Sequence, residues 1–430
     1  MNMNRRDALA QDINLEDITS SKENAEVLRK LRDGGFYGDN TLCIDEYYDG
    51  YDDDDCNNLF VIEEGDDLSW LGYFIGRSRT LNELNIKFMP EERERIDAFI
   101  DGVSHNRSLW KFSVDPDGDI EISIQNLCPF FRENNNLTDI YLYNCDIGRE
   151  CARDVALALS QRRIKNLRCL GLAHNNLGGE GFADIAHALH THPQFDFLYC
   201  KNNNIGRTGC VALGAVMREE ISNLTKLHLD NNAIDDAGLQ ALIPGLCNNN
   251  NLEHLTISDQ ITAAGLRALS PFLQSDSCSL IVLSVRDMRF GDEEAAAIAG
   301  ALTGNKSLQT MYLPDLGNRN ITETGWSTFS KLLCDTSSIN NTYLSNHTLT
   351  HLGVPIYFDD TPRDVTDLLQ MNAAAQKNNI RSQDIVVQCL ARYGYWTNVL
   401  KDSQAEKRKL QQMLQRAEEN EKCALKRLRR

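Results

Sequence analysis

The sequence predicts an α/β solenoid in which strands and helices alternate, and three observations point to it. The segment Leu167–Leu177 reads L-x-x-L-x-L-x-x-N-x-L. An apolar i, i+4, i+8 pattern follows the turn, as at Gly181, Ile185 and Leu189, and this spacing is typical of a helix. Related segments recur every 28 to 31 residues, with first positions at Leu81, Leu109, Leu137, Leu167, Phe195, Leu224, Leu252, Leu280, Leu308 and Ile339.

The motif divides its residues into two groups. Apolar residues at positions 1, 4 and 6 are expected to lie between strand and helix, and the asparagine at position 9 to bond backbone groups in the turn. In the fourth repeat Arg168, Gly171 and His174 are expected to point outward. Three repeats lack the asparagine turn, so we expect distorted turns at 115–119, 258–260 and 314–317.

A period of 28–29 residues with a full helix resembles the ribonuclease-inhibitor-like subclass of leucine-rich repeats, and the resemblance covers about residues 59–355. It implies a right-handed horseshoe, with parallel strands on the concave face and helices on the convex face. Each repeat of such a solenoid contacts only its neighbours, so the 430 residues need not form several globular domains.

The remaining chain divides into flanking regions. Residues 1–58 are predicted to be acidic and partly disordered, with a short helix at Asn24–Arg32 and a dense acidic run at 45–55. A strand at 59–62 and a helix at 68–75 are expected to cap the first repeat. Residues 356–400 are predicted to form a helical C-terminal cap, with one helix after Thr361-Pro362 and another from Ser382. Residues 401–430 read as a charged helical tail with an interrupted apolar seam, so we expect only weak self-association there.

Composition indicates where the chain acts. The net charge of −18 argues against nucleic-acid binding through a basic face. No apolar run approaches the ~18–20 residues of a membrane span, and the N-terminus lacks the apolar core of a signal peptide. The thirteen cysteines form no C-x-x-C pair with metal-site spacing and are expected to be free thiols. We expect a cytoplasmic protein without membrane contact; the basic end at 426–430 leaves a nuclear location open.

Three segments suggest catalytic or ligand-binding chemistry and are discounted. Residues 300–307 resemble a phosphate-binding loop, but Lys306 does not directly follow the second glycine. The acidic segment 115–121 has its glycine at the fourth rather than the sixth position of a calcium loop. His174, His228 and His254 occupy different positions of their repeats and do not form one row. We therefore predict no enzyme, no cofactor and no metal.

The sequence instead predicts a non-catalytic scaffold that binds another protein through the concave face. Residues between the leucines should form rows on this face, and aromatic residues and arginine are enriched at binding hot spots. Aromatic side chains also simply suit strands, which is the competing interpretation. The predicted partner-binding residues are Trp110, Tyr141, Tyr143, Phe197, Tyr199, Lys201, His228, His254, Arg286, Tyr312 and Tyr343.

Two other functions stay open. GTPase-activating proteins for Ran resemble this repeat type and place a catalytic arginine in a loop beyond a strand, where Arg286 and Arg289 lie in this chain. The residues around them match no motif of that family, and a GTP-hydrolysis assay with Ran separates the two hypotheses. A substrate-recognition arm of a ubiquitin ligase is the third hypothesis, although residues 1–58 show no clear F-box module.

Overall fold

The structure is a computed structural model that describes residues 14–36, 40–45, 59–61, 68–87, 93–116, 124–161, 166–219, 223–315, 319–353 and 361–377. The chain divides into two compact units, Met1–Gln260 and Ile261–Arg430.

The first unit alternates strands and helices as the repeats predict. Its elements are α1 (Leu15–Ser20), α2 (Lys22–Asp33), β1 (Thr41–Asp45), β2 (Leu59–Val61), α3 (Ser69–Arg77), β3 (Glu83–Ile86), α4 (Arg93–Val103), β4 (Lys111–Val114), α5 (Ile124–Glu133), β5 (Asp139–Leu142), α6 (Arg149–Ser160), β6 (Cys169–Gly171), α7 (Gly178–Leu189), β7 (Phe197–Tyr199), α8 (Gly206–Glu219), β8 (Lys226–His228), α9 (Asp236–Asn248) and β9 (His254–Thr256).

The strands of this unit form a parallel sheet in the order β9-β8-β7-β6-β5-β4-β3-β1-β2. From β3 to β9 the register aligns position 4 of successive repeats, at Leu84, Phe112, Ile140, Leu170, Leu198, Leu227 and Leu255. The residues at position 1 of the same repeats are completely buried. The predicted fold class and repeat register are therefore confirmed in this unit.

The turns are held by polar side chains that we call the asparagine ladder, formed by the buried amides of Asn175, Asn203 and Asn232 and, in the last turn of the unit, by the carboxylate of Asp259. The Asn175 side chain donates to the carbonyls of Leu142 (2.8 Å), Leu172 (2.9 Å) and Ala173 (3.1 Å). Its oxygen accepts from the backbone N–H groups of Cys145 (3.1 Å) and Ile147 (3.0 Å). Each amide thus ties its own turn to the preceding repeat.

The ladder continues through a turn that lacks the asparagine. The Asp259 carboxylate accepts from the N–H groups of Asn232 (2.5 Å) and Ile234 (3.3 Å). Asp259 occupies position 8 rather than 9 and has a φ of 100°, so this turn is distorted as the sequence predicts. A carboxylate supplies the acceptor role of the missing amide.

The sheet begins earlier than predicted. Strand β1 lies within the region 1–58, for which no repeat was predicted, and it pairs with both β2 and β3. Leu42, Cys43 and Ile44 of β1 are buried, although the strand is followed by no asparagine turn that would reveal it in the sequence. The predicted N-terminal helix is confirmed as α2, with Val27 and Leu31 buried. Strand β2 and helix α3 form where the sequence predicts a strand and a helix, but β1 rather than β2 pairs with the first repeat strand β3. Residues 46–55 of the acidic run lie outside the described residues.

The second unit holds three parallel strands in the order β14-β12-β10 and a smaller parallel pair, β11 and β13. Its elements are α10 (Ala263–Ala268), α11 (Ser270–Leu273), β10 (Val282–Ser284), β11 (Phe290–Gly291), α12 (Asp292–Ala301), β12 (Thr310–Tyr312), β13 (Arg319–Asn320), α13 (Glu323–Leu333), α14 (Ile339–Leu344), β14 (His351–Gly353) and α15 (Arg363–Lys377).

The predicted tenth repeat is wrong in its register. Residues 339–344 form helix α14, which Ser338 caps by accepting from the Asn341 N–H (3.1 Å). The strand follows as β14, in which Leu352 pairs with Met311. The buried first leucine is therefore Leu349, and the segment containing α14 is inserted before it. Tyr343, predicted to lie on the strand face, belongs to this helix.

The C-terminal cap is described only as far as residue 377. Helix α15 follows Thr361-Pro362 as predicted and buries Val365, Leu368 and Leu369. The predicted helix from Ser382 and the tail 401–430 lie outside the described residues.

Candidate protein-binding surface

Five rings of the first unit meet on the sheet face opposite the leucines. Ring centroids are 5.8 Å apart for Tyr141–Tyr143 and 5.6 Å apart for Tyr143–Tyr199. The rings of Tyr199 and Phe197 lie 5.2 Å and 5.3 Å from that of His228, in edge-on arrangements. These five residues, which we call the aromatic cluster, come from strands β5, β7 and β8 and the residue after β5, and all are partly exposed. The structure thus brings together five of the predicted site residues.

A glycine in the intervening strand makes this contact possible. A Cβ atom at Gly171 of β6 would lie 2.5 Å from Cδ1 of Tyr141 and 2.6 Å from the hydroxyl of Tyr143. Gly171 pairs with Tyr141 on one side and Tyr199 on the other. The absence of a side chain therefore lets Tyr141 and Tyr143 lean over β6, where Tyr143 reaches Tyr199. This glycine provides space rather than an unusual backbone conformation.

Burial governs the ionisation of the cluster. It raises the pKa of each tyrosine hydroxyl, most strongly at Tyr141 and Tyr143, with smaller contributions from neighbouring groups such as Cys169 and Asp139 beside Tyr141 and Asp230 beside Tyr199. Burial also lowers the pKa of His228 to about 4, assisted by His254 and Lys226. The cluster is therefore uncharged at neutral pH and presents apolar ring surface with hydroxyl groups.

Charged and polar side chains surround the cluster. The Lys226 ammonium lies 5.8 Å from the centre of the Phe197 ring. Thr256 donates to the Asp230 carboxylate (2.6 Å), and Lys111 pairs with Glu83 (3.3 Å) on the neighbouring strands β3 and β4. An apolar centre with a polar rim is the usual arrangement of a protein-binding surface.

The other predicted residues of this unit lie outside the ring contacts. Trp110 precedes β4, Lys201 follows β7, and His254 begins β9 beside Lys226. Burial lowers the pKa of His254, and Lys226 adds to this effect.

The second unit has its own group of three side chains: Tyr312 and His351 lie on β12 and β14, and Arg286 lies in the turn after β10. The Arg286 guanidinium lies 4.4 Å from the centre of the Tyr312 ring, whose centroid is 5.5 Å from that of His351. Sequence reasoning missed His351 because the register error assigned the last strand to Tyr343. The spacing Leu349-x-x-Leu352, which matches positions 1 and 4, is the signal that identifies this strand. Arg289, the other arginine considered for GTPase activation, is exposed.

Within the described part of the chain, no group of three or more histidine, cysteine or acidic residues is arranged to hold a metal ion. Nor is any helix of that part long and apolar enough to cross a membrane.

The repeating strand, turn and helix with the asparagine ladder define a leucine-rich repeat solenoid, and its sequence is similar to proteins that carry ribonuclease-inhibitor-like repeats. Over 228 residues it is 30% identical to NACHT, LRR and PYD domains-containing protein 14 of Homo sapiens, covering 53% of this chain and 20% of that protein. Over 264 residues it is 25% identical to NACHT, LRR and PYD domains-containing protein 3 of Homo sapiens, covering 55% of this chain and 24% of that protein.

A shorter relative shows the same likeness. The chain is 26% identical over 205 residues to ribonuclease inhibitor of Sus scrofa, covering 46% of this chain and 44% of the inhibitor. The chain thus spans less than half the length of each of these curated relatives. No model of a protein family matches it.

Proposed function

We propose that the protein is a non-catalytic interaction module that binds a partner protein through the strand face of its first unit, with the aromatic cluster as the central contact. The observation that carries this proposal is the meeting of Tyr141, Tyr143 and Tyr199 across Gly171. A sheet face that borders water needs no aromatic side chains for folding, because the apolar core lies on the other side of the strands.

Two further observations support the proposal. The cluster combines a large apolar area with hydroxyl groups, and such side chains dominate the binding energy of protein interfaces. One relative is by its name an inhibitor of a ribonuclease, and its sequence matches this chain over 205 residues.

The test compares a cluster variant with a matched control. The double variant Tyr141→Ser, Tyr199→Ser removes two rings that are partly exposed, so the fold should persist. The control Leu157→Ser, Val211→Ser removes apolar side chains that are 54% and 50% exposed on helices α6 and α8. Quantitative capture from lysate with all three proteins identifies candidate partners, and calorimetry with each purified candidate measures affinity.

We expect the cluster variant to lose at least about tenfold in affinity for a partner that the control retains, because hot-spot residues of this kind carry most of the binding energy. Capture of the same proteins, with equal affinity, by all three chains would contradict the proposal. Circular dichroism of each variant shows whether the fold is retained.

GTPase activation is the competing hypothesis, and the same proteins test it. Arg286 is the residue at issue, and its guanidinium is packed on Tyr312. Acceleration of GTP hydrolysis by Ran that disappears in Arg286→Ala or Arg289→Ala would favour catalysis over the interaction module.

A further inference from the structure

A groove lies between the first three helices, away from the strand face. Helices α1, α2 and α3 and the residues after α3 line an open groove of about 580 Å³. Its apolar lining includes Leu15, Leu28 and Phe74. Leu15 is 52% exposed, which is unusual for a leucine in this protein, where most large apolar side chains are buried. We call this feature the helix groove.

Arginines lie on both sides of the groove. Arg29 and Arg32 stand on α2, whereas Arg77 ends α3 and Arg79 follows it. In a chain with a net charge of −18, four arginines around one apolar groove form a local basic rim.

These arginines are available to a ligand. Arg29 pairs with Glu26 (3.3 Å), and Arg32 pairs with Asp33 (2.7 Å), but all four side chains are about half exposed or more. Exposed pairs of this kind are weak in water, so an incoming carboxylate can replace either partner.

Arg77 and Arg79, on the α3 side of the groove, form fewer polar contacts than Arg29 and Arg32. Arg77 lies over the Tyr73 ring (4.3 Å), and neither Arg77 nor Arg79 forms an ion pair with a described carboxylate. The stacking contact holds the Arg77 guanidinium at the groove while leaving its N–H groups free to donate.

We infer that the helix groove binds an acidic amphipathic helical segment of a partner protein. Apolar side chains at i, i+3 or i+4 and i+7 of such a segment fit a groove between helices, and carboxylates along its edges form charge-assisted hydrogen bonds to the arginines. The partial exposure of the lining favours a peptide laid along the groove over a hydrocarbon chain, which requires an enclosed cavity. This inference is independent of the strand face.

A display library of random 16-residue peptides, selected on the full chain, tests the inference. The variant Arg32→Glu, Arg79→Glu reverses one exposed charge on each side of the groove. The control Arg153→Glu, Arg207→Glu reverses two exposed charges on helices α6 and α8. We expect selected peptides to combine helical apolar spacing with excess acidic residues, and to lose at least about tenfold in affinity for the groove variant only, as reversed interface charges repel.

Selected peptides without an acidic excess, or with equal affinity for all three proteins, would overturn the inference. Displacement of the peptide by palmitate would assign the groove to lipid anions instead. A chain with Asp52–Asp55 changed to asparagine tests whether the protein's own acidic run occupies the groove. If that chain bound the peptide tenfold more tightly, the groove would belong to the acidic run of the protein itself, and the partner assignment would be wrong.

Discussion

The asparagine ladder and the aromatic cluster lie in the same repeats but depend on opposite kinds of contact. Asn175, Asn203 and Asn232 are buried and bond backbone groups of two successive repeats. The rings of the cluster are partly exposed and contact one another edge to edge. The ladder therefore holds the repeats together, whereas the cluster adds surface that the fold does not require. Substitutions should separate the two roles.

The largest effect is expected in the ladder. Asn175→Ala removes five hydrogen bonds and leaves the buried N–H groups of Cys145 and Ile147 without an acceptor. The carbonyls of Leu172 and Ala173 keep other donors, the Asn203 side chain and the Asn144 N–H. The free energy of unfolding should fall by about 3 kcal/mol, because each unsatisfied buried group costs about 1–3 kcal/mol. Urea denaturation measures the shift. The control Asn176→Ala changes an exposed neighbour, and equal midpoints for the two variants would refute the role of the ladder.

A smaller effect on stability is expected where the cluster crosses β6. In Gly171→Ala the new methyl group collides with Tyr141 and Tyr143, which can yield because their rings border solvent. We expect a loss of about 1–2 kcal/mol, as for other overpacked sites, together with loss of partner binding. Gly300→Ala is the control, since a Cβ there meets nothing within 4 Å. Unchanged binding by Gly171→Ala would show that the ring arrangement is not needed for recognition.

The leucine positions predicted most of the fold. Strands with aligned residues at position 4 lie where the motif places them from Leu84 to Leu255 and again at Leu283 and Met311. The prediction of the last strand was wrong because the repeat period changes there. A nearly constant spacing favoured Ile339 as its first position, although Leu349 and Leu352 match positions 1 and 4 of the motif better. It also could not reveal β1, which is buried but followed by no asparagine turn.

The cluster was predicted only as separate residues. Tyr141 and Tyr143 occupy positions 5 and 7, which the motif assigns to different rows, so their contact depends on side-chain direction. The signal that identifies the arrangement is Gly171 at position 5 between tyrosines at the same position of both neighbouring repeats. A missing side chain in a row of large ones predicts that its neighbours lean into the space.

The smallest expected effect is a pH dependence of stability that arises from His228 in the aromatic cluster. Burial lowers the pKa of His228 to about 4, below the value of about 6.5 expected in the unfolded chain. As the pH falls from 6.5 towards 4, the unfolded state takes up a proton that the folded state does not, so stability is lost over this window. Since His228 is partly exposed, the loss should be about 1 kcal/mol.

Urea denaturation midpoints measured between pH 7 and 4 test this prediction. The midpoint should fall less steeply with pH for His228→Gln than for the unmodified chain. The control His187→Gln changes an exposed site and should behave like the unmodified chain. Parallel curves for all three proteins would mean that His228 is as well hydrated as His187, and the cluster would then be more open than its ring distances indicate.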